Sequence, residues 1–412
     1  MGFKLVKKRD PKIYDLIGEE GKRQQETLNL IASENYPSPA VRQTLSSIFV
    51  AKYAEGRPYK RYYAGMENVD KLESLVEKRA LKLFGLSSKK WAVNVQSLSG
   101  SPANYEILRG LLKPGDKILG LHLTHGGHLS QGARASLSGR DFQPIYYYLD
   151  QDGFLDYRQI ERLALKEKPK LIITGYTSYP RRIDFKKFSQ IAKRIGAFLL
   201  ADTSHITGLI IGGVHPSPFP WTDVLMTTTH KSLRGPRGAM IICKKELEPR
   251  IFSKVFPGLQ GGPHLHTICA LGVALKEAQS STFKRYARQI VKNAAVLALE
   301  LEKYRFNLIS GGTDNHLILI DLRNKKITGS RAQELLEEVG IVTNKNTIPY
   351  DPHPPYDPSG IRLGTPALTT RGMKEREMKA IAGWIDAVIS RPQKAKSIRK
   401  KVKSLCRKFP LP

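Results

Sequence analysis

The chain has 412 residues, is 41% hydrophobic and carries a formal net charge of +30, so it exceeds one ordinary core, can bury a pocket and will concentrate anions around it. No stretch approaches the roughly twenty uncharged apolar residues of a membrane helix, and the N-terminal MGFKLVKKRDPK lacks the apolar centre of a secretory leader, so a cytoplasmic location is expected. The three cysteines, Cys243, Cys269 and Cys406, are far apart and without CxxC spacing, which argues against a disulfide framework and a zinc site.

In chain order, SLSGSPAN (97–104) sets Ser99, Gly100 and Ser101 just before a helical run. Backbone amides and hydroxyls there can hold a phosphate, although a plain serine-capped helix reads the same way. GDKILGLHL (115–123) reads as a strand. HLTHGGH then offers His122, His125 and His128 at three-residue spacing. Two glycines interrupt the helix that would align the rings and no cysteine or carboxylate completes a shell, so no metal is expected. A histidine packed on a planar cofactor ring is the alternative.

Residues 170–205 read as a βαβ unit. KLIITGY and AFLLAD are strands, and DFKKFSQIAKRIG is a helix with Phe185, Phe188, Ala192 and Ile195 on one face and Gly196 at its end. Such units imply a parallel sheet with ligands beyond the carboxyl ends of its strands. ADTSH puts Asp202 at such an end, where an ionised carboxylate needs a positive partner. A protonated pyridine nitrogen would serve and would become an electron sink; a helix-capping aspartate is the competing reading. VLMTTTHKSLRGPRGAM (224–240) runs from a strand into Lys231 and a Gly/Pro turn, where strand ends display reactive groups. Lysine nucleophile, phosphate cup, ring partner and stacking histidine together are what a pyridoxal phosphate enzyme needs.

After the glycine-rich VFPGLQGGPHLH (255–266) the pattern turns to a long amphipathic helix beginning at Phe283, then a strand in NHLILIDL, with helices in RAQELLEEVG and KEREMKAIAGWIDAVI. A boundary is expected near 275–283. NTIPYDPHPPYDPSG (346–360) is too proline-rich for regular structure and should be a rigid loop. KAKSIRKKVKSLCRKF (394–409) reads as a solvated basic helix face, with no aromatic-interleaved signature of a nucleic-acid site beside it.

LIASENY (30–36), KYAEGRPYKRYYAG (52–65), NVQSLSGSPAN, HGGHL, TTTHKSLRGPRG, FPGLQGGP, SGGTDNHL (310–317), TNKN (343–346) and SGIRLGTPALTTRG (359–372) occur in this order. With these motifs the chain resembles the serine hydroxymethyltransferases, from about residue 20 to residue 390. The resemblance implies a fold-type I α/β architecture. It has a mostly parallel seven-stranded sheet flanked by helices, an N-terminal helical arm (1–28), a large cofactor-binding domain (29–278) and a smaller α+β domain with a basic tail (279–412).

By the same resemblance, Lys231 forms the internal aldimine with pyridoxal 5'-phosphate, Asp202 pairs with the pyridinium nitrogen, His128 stacks on the ring, and His205 and Thr177 lie near its phenolic oxygen. Ser99, Gly100 and Ser101 hold the phosphate, with Tyr53 and a neighbouring subunit's Gly261 and Gly262. Thr228 and His230 belong to the catalytic set beside Lys231. Ser33 and Arg362 receive the substrate carboxylate. Glu55, with Tyr62 and Tyr63, serves proton transfer and the folate end, and Leu119, Leu123 and Asn346 match pterin-binding positions. The implied reaction moves the hydroxymethyl carbon of L-serine to tetrahydrofolate in a homodimer or tetramer, with no membrane or nucleic-acid partner. A folate-independent aldolase acting on 3-hydroxy amino acids is the nearest rival, against which Glu55, Tyr62 and Asn346 speak. The chain departs from the family pattern at Ser97, Leu98, Gln131, Thr177 and Ser204; Thr177 adds a methyl group where a serine is usual.

Overall fold

The structure is a computed structural model and describes residues 3–412. Seven strands form the main sheet: β1 (Trp91–Asn94), β2 (Lys117–Leu121), β3 (Gln143–Tyr147), β4 (Leu171–Thr174), β5 (Phe198–Asp202), β6 (Val224–Thr228) and β7 (Ala239–Lys244). Their order across it is β1-β7-β6-β5-β4-β2-β3. The neighbours from β6 to β3 are parallel, while β7 runs antiparallel to both β1 and β6. β6 and β7 are joined by the short turn that carries Lys231, which only antiparallel neighbours can use; parallel ones need crossovers.

Every position of β1, β4 and β6 is buried, the pattern of strands covered on both faces. Successive residues serve opposite faces. Ile172 and Leu199 enter the core that α2 (Phe185–Arg194) covers, while Leu171, Ile173 and Leu200 enter the one covered by α1 (Gly100–Leu111). In α2, Asp184 caps the N-terminus by accepting from the Lys187 amide, Phe185, Phe188 and Ala192 are buried, and Ile195 is partly buried on the same core. Gly196 follows at φ +66°, the left-handed geometry that stops a helix.

Asn307–Leu308, β8 (Leu317–Asp321), β9 (Asn344–Asn346) and β10 (Gly360–Gly364) make a second, antiparallel sheet. The expected division at 278/279 falls in the Gln279–Ser280 link, after which α3 (Ser281–Lys303) runs through both cores: Phe283, Ala287 and Ile290 pack in the large one, Leu297, Ala298 and Leu301 in the small one. Leu28–Asn29 pairs with Ile341–Val342 as a separate two-stranded sheet, with Leu28 and Ile341 buried in the small core. The helices before it, Lys4–Arg9 and Pro11–Gln25, bury no residue.

Between Asn346 and Gly360 neither helix nor strand forms. Asp351 pins that loop by accepting from the amides of Ile348, His353 and Ser359 and from the Ser359 hydroxyl. The basic tail is the helix Ala395–Lys408, which buries Ile398, Val402 and Cys406 on the small core and turns its lysines outward. Among the described residues no helix is long and apolar enough to cross a membrane.

Candidate active site

A cavity of about 370 Å³ lies beyond the carboxyl ends of the main strands and brings together Ser33, Ser99, Gly100, Ser101, His128, Thr177, Asp202, His205, Thr228, His230, Lys231 and Arg362. Lys231 enters from the turn after β6. The Thr229 amide donates to Gly238 O (3.1 Å) and the Gly235 amide to Thr229 O (2.8 Å). A Cβ on Gly235 would sit 2.7 Å from that carbonyl, so the turn requires glycine. The Asn35 side-chain amide donates to Lys231 O at 3.0 Å, and Lys231 Nζ donates to Thr228 Oγ1 at 2.9 Å. Burial pushes the ammonium down from its ordinary 10.5 to about 8, Asp202 resists, and Arg362 and Arg237 add to the fall.

Asp202 ends β5, is 8% exposed and, among the described residues, makes no ion pair. Neutral donors compensate it instead. Asn104 Nδ2 (3.0 Å) and Gln131 Nε2 (3.1 Å) donate to Oδ2, and the Ser204 amide (3.2 Å) and hydroxyl (2.6 Å) to Oδ1. The capping reading fails, because the next helix, Thr207–Ile211, starts from Ile206.

Ser99 is the N-cap of α1, yet its side chain makes no capping bond. The hydroxyl is therefore unspent, at a helix start whose amides favour an anion. A Cβ on Gly100 would lie 2.7 Å from Thr228 Cγ2, so glycine is what lets the helix approach β6.

Arg362 reaches the cavity from β10 of the small sheet. It is 6% exposed, its Nη1 donates to Thr177 O at 2.7 Å and its Nε to Asn344 Oδ1 at 3.2 Å. Burial lowers its pKa to about 10, still far above neutrality, and no carboxylate pairs with it among the described residues. The histidines are held neutral. Burial lowers His128, drives His205 well below its ordinary value and takes His230 to about 3. His128 Nδ1 meets Ser130 Oγ at 2.8 Å, His205 Nδ1 meets His316 Nε2 at 3.3 Å, and His230 Nδ1 has no partner.

A second group assembles apart from this cavity. Tyr53, Glu55, Tyr62, Tyr63, Gly261 and Gly262 line none of it. They gather with one another: a Cβ on Gly261 would be 3.1 Å from Glu55 Oε1, one on Gly262 3.0 Å from the Tyr53 ring, and the Tyr53 and Tyr63 rings are 5.2 Å apart. Their chain segment is anchored by the buried Arg61, which donates to Asp70 (2.9 Å) and Glu73 (2.7 Å), while Arg57 pairs with Glu73 (3.2 Å) and Glu77 (2.6 Å). The three tyrosines are 56%, 76% and 46% exposed.

Of the pterin positions, Leu123 is 40% exposed beside His122 and Arg134. Asn346 Oδ1 accepts from Ser178, next to Thr177. Leu119 is corrected: it is fully buried inside β2, in the core covered by α2, and has no surface for a ligand. The exposed leucine next to His128 is Leu129, at 50%. Asn35, Asn104, Asn344 and Arg237 were absent from the candidates. A neutral amide carries no sequence signal of its own, and Arg237 was legible only as part of the GPRG turn.

With this geometry in view, comparisons with known proteins decide the family. The family model for serine hydroxymethyltransferase matches residues 6–385. A curated serine hydroxymethyltransferase from Desulfotalea psychrophila (strain LSv54 / DSM 12343) is 50% identical over 410 residues, 99% of this chain and 96% of that protein. The chain belongs to the serine hydroxymethyltransferase family. For a serine hydroxymethyltransferase the question is whether the cavity suits pyridoxal phosphate, and its residues fit that group. Lys231, Arg237 and Arg362 face it against the carboxylates of Asp202 and Glu34, so the set is short of negative charge. The unspent Ser99 hydroxyl at a helix start and the lowered Lys231 amine match a phosphate and a carbonyl carbon.

Proposed function

We infer that the chain is a serine hydroxymethyltransferase, reversibly transferring the hydroxymethyl carbon of L-serine to tetrahydrofolate to give glycine and 5,10-methylenetetrahydrofolate. In this reading Lys231 is the amine that holds pyridoxal phosphate. One observation carries the assignment of roles: a lysine brought to about pKa 8, a carboxylate without a cation and an arginine without an anion share one buried cavity. Pyridoxal phosphate, when bound, supplies an electron sink for the bond being broken.

The chain's own residues do the rest. Thr228 Oγ1 holds Lys231 Nζ at 2.9 Å and so fixes the direction of the amine. Asp202 is positioned to keep a ring nitrogen protonated, and the neutral His128 offers a flat face without adding charge. Arg362, steered by Thr177 O and Asn344, presents guanidinium hydrogens to a substrate carboxylate, with Ser33 beside it. Ser99, Gly100 and Ser101 offer hydroxyls and helix amides to the phosphate.

Glu55 is the group for moving a proton between the serine hydroxyl and the folate, yet it lies with the tyrosine cluster outside the Lys231 cavity. That separation supports a homodimer in which Tyr53, Glu55, Tyr62, Tyr63, Gly261 and Gly262 of one subunit complete the cavity of the other; the exposed rings suit such a contact. Leu123 and Asn346 remain pterin candidates. In this reading residues 1–28 form the arm, 29–278 and 279–412 the two domains, and the protein works in the cytoplasm.

Transfer of labelled carbon from serine to tetrahydrofolate tests the reaction, with Lys231→Ala as the control. Equal transfer by both proteins would refute the role of Lys231. Mixing Lys231→Ala with Glu55→Gln tests the shared site. Random pairing makes half the dimers mixed, each with one intact site of two, so about one quarter of wild-type activity should return. No recovery would place both groups in one subunit's site.

A further inference from the structure

The surroundings of Asp202 carry an inference that rests on its reading as partner of the ring nitrogen. A carboxylate offers about four lone-pair sites. Here four donors already meet Asp202: Asn104 Nδ2, Gln131 Nε2, and the amide and hydroxyl of Ser204. A ring N–H must therefore enter as a fifth donor or displace one.

Three of the four are fixed in place. Asn104 is held by a second bond to Ser130 Oγ (2.8 Å), Gln131 by one to Gly175 O (3.0 Å), and the Ser204 amide by the backbone. The Ser204 hydroxyl, the fourth donor, makes the shortest contact, 2.6 Å, and is likewise held by a second bond. Its lone pair accepts the Thr228 amide at 3.0 Å, and Thr228 Oγ1 in turn accepts from Lys231 Nζ. One hydroxyl thus connects the carboxylate to the strand end that positions the lysine.

We propose that Ser204 is a positioning residue that limits, by competition, how tightly Asp202 holds the cofactor's ring nitrogen. A hydrogen bond to a carboxylate lowers its basicity. While the hydroxyl occupies Oδ1, less of the anion's capacity goes to the ring N–H. Removing the hydroxyl leaves a more basic carboxylate with a free lone pair, which turns to the one mobile donor, the ring.

The test compares wild type, Ser204→Ala and Ser204→Thr as holoenzymes. Equilibrium dialysis gives the pyridoxal phosphate dissociation constant, and the ¹⁵N shift of ring-labelled cofactor reports how far the proton lies on its nitrogen. Ser204→Ala should bind roughly 3- to 10-fold more tightly, a fraction of one charge-assisted bond, and move the shift toward the protonated ring. Ser204→Thr, which keeps the hydroxyl, should match wild type. Weaker binding in Ser204→Ala, or a change below twofold with no ¹⁵N shift, overturns the proposal. Thermal unfolding of each variant separates loss of fold, which Ser204→Ala brings by leaving the Thr228 amide without its acceptor, from loss of cofactor. If Asp202→Ala binds as wild type does, the reading of Asp202 itself falls, a result distinct from failure at Ser204.

Discussion

If burial holds Lys231 near pKa 8, its neutral, nucleophilic fraction at pH 7 is about 9%, against about 0.03% at the ordinary value, roughly a 300-fold gain. The sign follows from the chemistry: only the free amine attacks a carbonyl, so capture of pyridoxal phosphate by the apo-protein should quicken as pH rises and level off above the amine's pKa. Between pH 7 and 9 the rate should climb about tenfold and then flatten; an unshifted lysine would gain about 100-fold and keep rising. Stopped-flow absorbance reads the rate, with Lys231→Ala as the blank. Working above pH 7 avoids the second ionisation of the phosphate near 6. Because the Asp202 charge raises Lys231, Asp202→Asn should move the midpoint below 8. A rate still increasing past pH 10, or a midpoint that moves up in Asp202→Asn, would refute the argument.

Arg362→Ala should raise KM for serine about 100-fold, the equivalent of roughly 3 kcal/mol for a lost two-pronged contact, while bound cofactor is retained; steady-state kinetics showing less than threefold would remove Arg362 from the carboxylate site. Gly100→Ala places a methyl 2.7 Å from Thr228 Cγ2 and should cost about 1–3 kcal/mol. Thr228→Ser deletes that methyl but keeps the hydroxyl, so the double variant should recover in thermal unfolding and cofactor retention; no recovery means the contact is not the cause. Arg61→Ala leaves Asp70 without its cation and Glu73, fully buried, with Arg57 at 3.2 Å as its remaining one. A loss of about 3–5 kcal/mol is expected, and an unchanged unfolding temperature would contradict it.

Much of the frame was readable in the chain. The apolar runs that became β2, β4, β5 and β6 are short, rich in branched residues and bounded by turns, and their lengths suit strands buried on both sides. Gly196 ended its helix because a positive φ favours glycine. Lys231, Asp202 and Ser99 were legible because each sits where a strand stops or a helix begins, a local relation. Leu119 was misread for the complementary reason: in a strand, which face a side chain serves depends on register against its neighbours.

By itself, then, the sequence determined the α/β frame, since periodicity and turn residues act over a few neighbours, while its motifs carried the family resemblance and the residue types that do chemistry. Only the tertiary structure decided which groups meet. Arg362 joins Lys231 because β10 of the small sheet abuts the ends of the large one, and α3 passes through both cores. The amides of Asn104 and Gln131 converge on Asp202 from separate segments, an arrangement that exists only once burial leaves the carboxylate no water to turn to. The Glu55 cluster stands outside the cavity of its own chain for the same kind of reason: packing, rather than spacing, sets where those residues point.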